Sequence, residues 1–339
     1  MVETRKVQKT KKQHYVPRCY LEAWAIPGKY QVHVFDKKRK VSRINSINDI
    51  ASERYFYDVN PKKLFSEETL KKLEEIGLTC DIDGESQGIE HTFAILVENQ
   101  FSKIITDIVE KSVKRHTFHL RFIPFISKEK KAELAAYLAI QYARTKHIRS
   151  NIENIAIVLS KAFKDMGIPD EQAQQFILPK EEVKNVHTSM LMDMDFLSKT
   201  ALSLCRLTWI FCINRTNKKF YTSDSPIVLQ GHIKHPLMSM SGFSSKGVEV
   251  FFPVSPNHIL VMFDGSFHTQ NAHLERKYVE IRNEEFVDYY NSLLALNCES
   301  CIYSQDGNMD FLLDMQKDNP EIFDMPHIQL QWGGNTYIP

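Results

Sequence analysis

The residues that can do chemistry gather first in a short segment near the start, Lys11-Lys12-Gln13-His14-Tyr15-Val16-Pro17-Arg18-Cys19-Tyr20-Leu21. An imidazole, a guanidinium, two phenols and a proline lie there beside a basic tail, a combination that is costly to bury and suits one wall of a site. Further along, Glu133, Tyr137, Gln141 and Arg144 are spaced by four, four and three residues, which puts them on one face of a helix. Asp224 directly follows a strand in Thr222-Ser223-Asp224-Ser225-Pro226, Glu90 opens a long helix, and Glu53 precedes an aromatic pair. If these groups converge, Arg18 and Arg144 fork onto phosphate oxygens, with Gln141 and Glu53 completing the substrate contacts. His14, Glu90 and Asp224 then move protons, or hold a divalent ion such as Mg²⁺ or Mn²⁺. The reaction such a set fits is nuclease-like cleavage of a phosphoester.

Each residue also has a plainer reading. Arg144 can serve only to pair a buried carboxylate, because a buried charge needs a partner. Glu90 can be an ordinary acid at a helix start, and Asp224 the acceptor of an Asx-type turn. Two further functions therefore stand beside the hydrolase. One is a binding module without turnover that takes a small anionic ligand or a nucleic-acid end. The other is a buried polar network that clasps the first segment to the helices.

Motifs narrow the enzyme class by their absence. The sequence has no Gly-x-Ser-x-Gly elbow, no Walker loop and no His-Glu-x-x-His helix, so a covalent hydrolase, an NTPase and a zincin are disfavoured, and neither a nucleotide nor a flavin cofactor is expected. The run Arg144-Thr145-Lys146-His147 is too tightly spaced for the Arg-to-His pattern of helical ribonucleases. Cys298-Glu299-Ser300-Cys301 has ligand-like spacing but supplies only half of a structural zinc site.

The elements that must position these residues suit an α+β fold. The chain has 339 residues, 43% of them hydrophobic and 25% charged, enough for a sizeable core, and its net charge of +1 does not suit a protein that coats nucleic acid electrostatically. Its basic start, residues 1–12, reads as a disordered tail without a secretory signal. The longest apolar run, 201–213, is too short and too polar to span a bilayer, so a cytoplasmic protein with no membrane partner is expected. Residues 30–41 form a hairpin pattern and 53–57 a strand; helices are expected over 67–78, 89–111, 127–144, 151–163 and 181–202. Strands at 208–213 and 219–222 read as a second hairpin, and 248–252 with 259–263 as a third around Pro253 and Pro256. A helix at 283–296 and a strand at 301–304 follow. The expected architecture is a single domain over 13–304, with a central helical bundle flanked by small N-terminal and C-terminal antiparallel β parts and an irregular extension over 305–339.

Read together, His14-Tyr15-Val16-Pro17-Arg18-x-Tyr20-Leu21, Glu53-x-x-Phe56-Tyr57, Ile89-Glu90, Gln141-x-x-Arg144-Thr145 and Thr222-Ser223-Asp224-x-Pro226 resemble the bacterial domain-of-unknown-function family 4238. The turn Phe252-Pro253-Val254-Ser255-Pro256 and Asn291 fit it as well. The resemblance covers about 12–304. Trp24 and Ser225 stand where the family leads one to expect Phe and Asn. It implies a set of linked positions and carries no activity.

Overall fold

The structure, a computed structural model, describes residues 11–59, 67, 71, 98–114, 122–233, 241–324, 327–332 and 335–339. Glu90 and the expected helix at 67–78 lie outside that range, apart from residues 67 and 71. No helix among the described residues is long and apolar enough to cross a membrane.

The architecture is α+β. A five-stranded sheet forms its centre, built from β5 (Thr208–Asn214), β7 (Val228–Gly231), β8 (Val248–Ser255), β9 (His258–Phe263) and β10 (Lys277–Ile281) in the order β10-β5-β9-β8-β7. Strand β5 is apolar along nearly its whole length because both of its faces are covered. Trp209, Phe211 and Ile213 point into one core, which they share with Leu134, Leu138 and Leu204 of the helical layer. Ile210 and Cys212 point into the other, against Val287, Tyr290 and Leu294. Each such fully buried large side chain contributes roughly 1.5–3 kcal/mol.

The helical layer consists of α2 (Asn99–Lys114), α3 (Lys128–Ala143), α4 (Lys146–Asp165), α5 (Asp170–Gln174), α6 (Lys180–Met192) and α7 (Met194–Arg206), after the single turn α1 (Arg18–Leu21). Ser127 caps α3 by accepting from the Lys130 amide at 3.2 Å. Helix α8 (Glu284–Asn297) covers the other face of the sheet.

Two expectations are corrected here. The strands at 208–213 and 219–222 do not form a hairpin: β5 lies in the central sheet, whereas β6 (Thr222–Ser223) joins β3 (Val41–Ser46), β2 (Gln31–Asp36) and β11 (Cys301–Ser304) in a sheet ordered β3-β2-β11-β6. The cause is local. The Asn291 side chain accepts from the Tyr221 amide at 2.9 Å and donates to the Lys219 carbonyl at 2.9 Å, and the Phe220 amide binds the Pro256 carbonyl at 3.0 Å. Those contacts consume the groups a hairpin ladder needs, so the chain crosses between sheets. As a result the N-terminal hairpin and the C-terminal strand share one sheet rather than flanking the helices separately. The extension, expected to be irregular, contains α9 (Asp310–Asp318) and a hairpin of β12 (Leu330–Trp332) and β13 (Asn335–Tyr337). Tyr337 packs on Val158 and Ala162 of α4, and its hydroxyl donates to Asp165 at 2.8 Å.

Several imidazoles are built into the interior. His187 of α6 donates from Nε2 to the Ala143 carbonyl at 2.9 Å and accepts at Nδ1 from Arg149 at 3.0 Å; His258 lies between Ser112 and Ser255. Burial and the neighbouring Arg149 hold the pKa of His187 down at about 3. Burial and Arg215 hold that of His258 at about 4. Both lie below the ordinary unfolded value of about 6.5, so the unfolded chain takes up more protons as pH falls. Their stabilising contribution is complete above pH 6.5 and is lost as pH falls toward 4, at up to ~1.4 kcal/mol per pH unit for each. Urea midpoints measured between pH 7.5 and 5 will therefore decline for the wild type and decline less steeply for His187→Gln; parallel slopes for the two proteins exclude this account of His187.

Candidate functional site

The His-Tyr-Val-Pro segment lies against the helix stripe. Strand β1 (Lys12–His14) pairs antiparallel with β4 (Ser52–Arg54), so that His14 opposes Ser52. From α3, Gln141 donates to the Tyr15 carbonyl at 3.1 Å, and Arg144, just past its end, donates to the His14 carbonyl at 2.6 Å. Arg144 has no exposed surface; its other contacts include the Tyr57 hydroxyl at 3.3 Å and Glu98 at 3.4 Å. The Tyr57 hydroxyl donates in turn to the Arg144 carbonyl, and Gln13 accepts from the Tyr57 amide. These bonds tie the first strand to the helical layer through backbone carbonyls.

His14 is buried, and its Nε2 has no hydrogen-bond partner; the same holds for Oε1 of Gln141. Burial, with Arg18 as the leading cation, holds the His14 pKa at about 4, so the ring is neutral. Arg18 acts on His14 through its charge; its guanidinium is exposed and donates to Asn48 at 3.2 Å. The stripe divides as well: Tyr137 donates to Glu133, which pairs with Lys130 at the surface, while Gln141 and Arg144 face inward. Tyr20 stacks on Phe252 with ring centroids 4.9 Å apart, and its hydroxyl donates to the Pro253 carbonyl at 2.7 Å.

Asp224 is also buried, at the end of β6. One carboxylate oxygen accepts from the Glu299 amide at 3.0 Å, the other from the amides of Ser300 and Cys301 at 2.8 and 2.9 Å. Burial and the nearby Glu299 push its pKa up to about 6 against the pull of those donors. The loop between α8 and β11 is thus wrapped around the Asp224 carboxylate. Within that loop, the Cys298 thiol donates to the Ala295 carbonyl and Cys301 accepts from Arg43, so the two cysteines are engaged separately.

Glu299, between them, is one of the residues that sequence reasoning missed, with His147 and His327. Its carboxylate is 10% exposed at the floor of a cleft of about 280 Å³ lined also by Lys38, Asn154, Phe323, Asp324 and His327. Ser150 donates to its Oε1 at 2.9 Å, and Lys38 lies 3.9 Å from the same oxygen. The other oxygen, Oε2, lies 3.7 Å from Nδ1 of His147. Burial acts to raise the Glu299 pKa, but His147, Ser150 and Lys38 outweigh it and hold the group ionised. The His327 ring meets that of His147 edge to face, with centroids 4.8 Å apart. Burial, His147 and Lys37 keep His327 neutral, with its pKa at about 4.

Cleft and clasp are neighbours because α3 ends at Ala143 and α4 begins at Lys146, one residue pair after Arg144. Arg144 turns inward, whereas Lys146 pairs with Glu53, and its charge is raised in pKa by Glu53, Glu299 and Asp224 against the effect of burial. Of the expected residues, His14, Gln141 and Arg144 meet at the clasp, Asp224 holds the loop that bears Glu299, Glu53 pairs with Lys146, and Arg18 is exposed and bonded to Asn48. His147 was within the run rejected on spacing, and Glu299 was visible only as filler between two cysteines.

No curated protein and no solved structure matches the chain. A family described as "Protein of unknown function (DUF4238)" matches residues 12–308 of the 339. That span contains the clasp, Asp224, His147 and Glu299, and stops short of His327. The chain therefore belongs to the DUF4238 family.

Proposed function

We propose that the chain hydrolyses phosphoesters and that the reaction takes place in the cleft above Glu299. The observation carrying this reading is the Glu299 carboxylate, held ionised between His147, Ser150 and Lys38 at the floor of a cavity of about 280 Å³. A fixed carboxylate beside two imidazoles can activate a water molecule. Lys38, 69% exposed at the mouth, offers a mobile cation to an incoming phosphate. Nucleic-acid ends and small phosphoesters both fit that chemistry.

In the same proposal His14, Gln141 and Arg144 are the clasp that holds the cleft's walls in register. Complete burial of Arg144 and its bonds to protein carbonyls, phenol and carboxylate support this second role. A buried cation that loses its neighbours, or neighbours that lose their cation, cost several kcal/mol.

Labelled DNA, RNA and a chromogenic phosphodiester, each incubated with the full chain and a divalent metal, test the cleft. Glu299→Gln is expected to lower turnover by roughly 100-fold or more while the protein remains folded by circular dichroism, and Lys38→Ala to raise KM while leaving kcat nearly intact. A Glu299→Gln protein as active as the wild type sinks the proposal.

The clasp is tested by stability. Arg144→Met will cost about 3 kcal/mol in urea unfolding, whereas Arg18→Ala will stay within roughly 0.5 kcal/mol and leave KM unchanged. A large rise in KM for Arg18→Ala would restore the two-arginine phosphate clamp instead.

A further inference from the structure

We propose that His147, Glu299 and His327 together hold a single divalent d-block metal ion, with Zn²⁺ the best-suited occupant. This deepens the hydrolase reading, resting on it only for the location of the reaction and not for the binding itself. One ligand atom from each residue lies within 4.8 Å of the others. Ligands about 2.0–2.1 Å from a tetrahedral zinc sit roughly 3.3 Å from one another, so the 3.7 Å between His147 Nδ1 and Glu299 Oε2 closes onto an ion with a small side-chain movement. The same 3.7 Å is too long for a direct hydrogen bond.

The surroundings are arranged as a metal's outer shell is. His147 Nδ1 is buried and has no hydrogen-bond partner. Its Nε2 lies 3.0 Å from the Asn151 amide nitrogen, while the oxygen of that amide is buried without a partner. Turning the Asn151 amide over presents its oxygen to Nε2–H and fixes the tautomer with a lone pair on Nδ1, aimed at Glu299. Both orphaned atoms are then accounted for at once. On the carboxylate, Ser150 and Lys38 engage Oε1 and leave Oε2 toward the imidazoles.

Ligand type selects the metal. Two imidazoles and one carboxylate suit Zn²⁺, Mn²⁺ or Fe²⁺, while Mg²⁺ favours an all-oxygen octahedron. Three protein ligands leave at least one coordination position open to the cleft, the pattern of catalytic rather than structural sites. The His-Glu-His set draws on three separate segments: the first turn of α4, the loop wrapped around Asp224, and the chain ahead of β12.

The test is made on the full chain stripped with chelator and titrated calorimetrically with ZnCl₂, MnCl₂ and MgCl₂ in the absence of substrate. One Zn²⁺ per chain is expected, with Mn²⁺ weaker and Mg²⁺ weaker still. His147→Ala and His327→Ala should each weaken Zn²⁺ binding by about 100-fold or more, and Asn151→Ala by roughly 10-fold. Co²⁺ should give visible bands of a four- or five-coordinate site that vanish in His327→Ala. The partly exposed position of His327 lets that variant fold, and the milder His147→Gln serves where His147→Ala does not. No stoichiometric Zn²⁺ binding to the folded wild type, or binding that survives both histidine substitutions, overturns the proposal. Tight Zn²⁺ binding without turnover of any phosphoester instead overturns the hydrolase reading alone.

Discussion

A guanidinium with no exposed surface is the constraint on which the rest of this fold depends. Removing the charge of Arg144 from water costs several kcal/mol unless its N–H groups find acceptors inside the protein. Those acceptors come from distant parts of the chain: the carbonyl of His14, the phenol of Tyr57 and the carboxylate of Glu98. None is local to α3. Among the described residues these partners lie in β1, after β4 and just ahead of α2, so the burial of one side chain couples the placement of those segments. Arg144 still has helical backbone, its amide bonded to the Ile140 carbonyl, and the extended backbone of Thr145 makes the break before α4 restarts at Lys146 with the partly exposed His147 in its first turn.

Asp224 is the acidic counterpart, and it organises a loop rather than a helix end. Three successive amides, those of Glu299, Ser300 and Cys301, converge on its carboxylate, an anion-binding arrangement of backbone donors. The ordering entropy of that loop is offset by bonds to a single charged group. Its consequence is directional: the backbone of 299–301 faces Asp224, so the Glu299 side chain is sent out to the cleft. The thiols of Cys298 and Cys301 go to a helix carbonyl and to Arg43. The ligand-like cysteine spacing is thus a product of a loop tied down by its amides, and the residue with chemistry is the one between.

What could be read beforehand follows from where the physical signal lies. The inward pair Gln141 and Arg144 was legible because helical spacing is local and an otherwise apolar helix does not waste a guanidinium. The membership of His14 and Tyr15 was legible from composition, although only their carbonyls, which have no sequence signature, meet that pair. The crossing between β5 and β6 was not legible. It depends on the Asn291 carboxamide reaching back to Lys219 and Tyr221, a long-range contact that imitates the missing strand partner. His147, Glu299 and His327 were hidden for the same reason: they share no segment and no spacing, and each alone carries no motif in the sequence.

Helix α4 is what brings them together. Its first turn carries His147 and Ser150, while its last turns carry Lys161, Ala162 and Asp165. Those last turns hold the C-terminal hairpin through Tyr337 and through the bond from Lys161 to the Ile338 carbonyl at 2.9 Å. One rigid element therefore presents a ligand at one end and anchors at the other the extension that bears His327. A set fixed in this way does not need an ion to assemble it, which is the condition for strong and selective binding, because the ordering cost is met on folding rather than on ligation. The part of the chain matched by the family supplies the clasp, the Asp224 loop and two of the three side chains. The third comes from beyond it, so the lining of the cleft is set partly by a segment outside the family match.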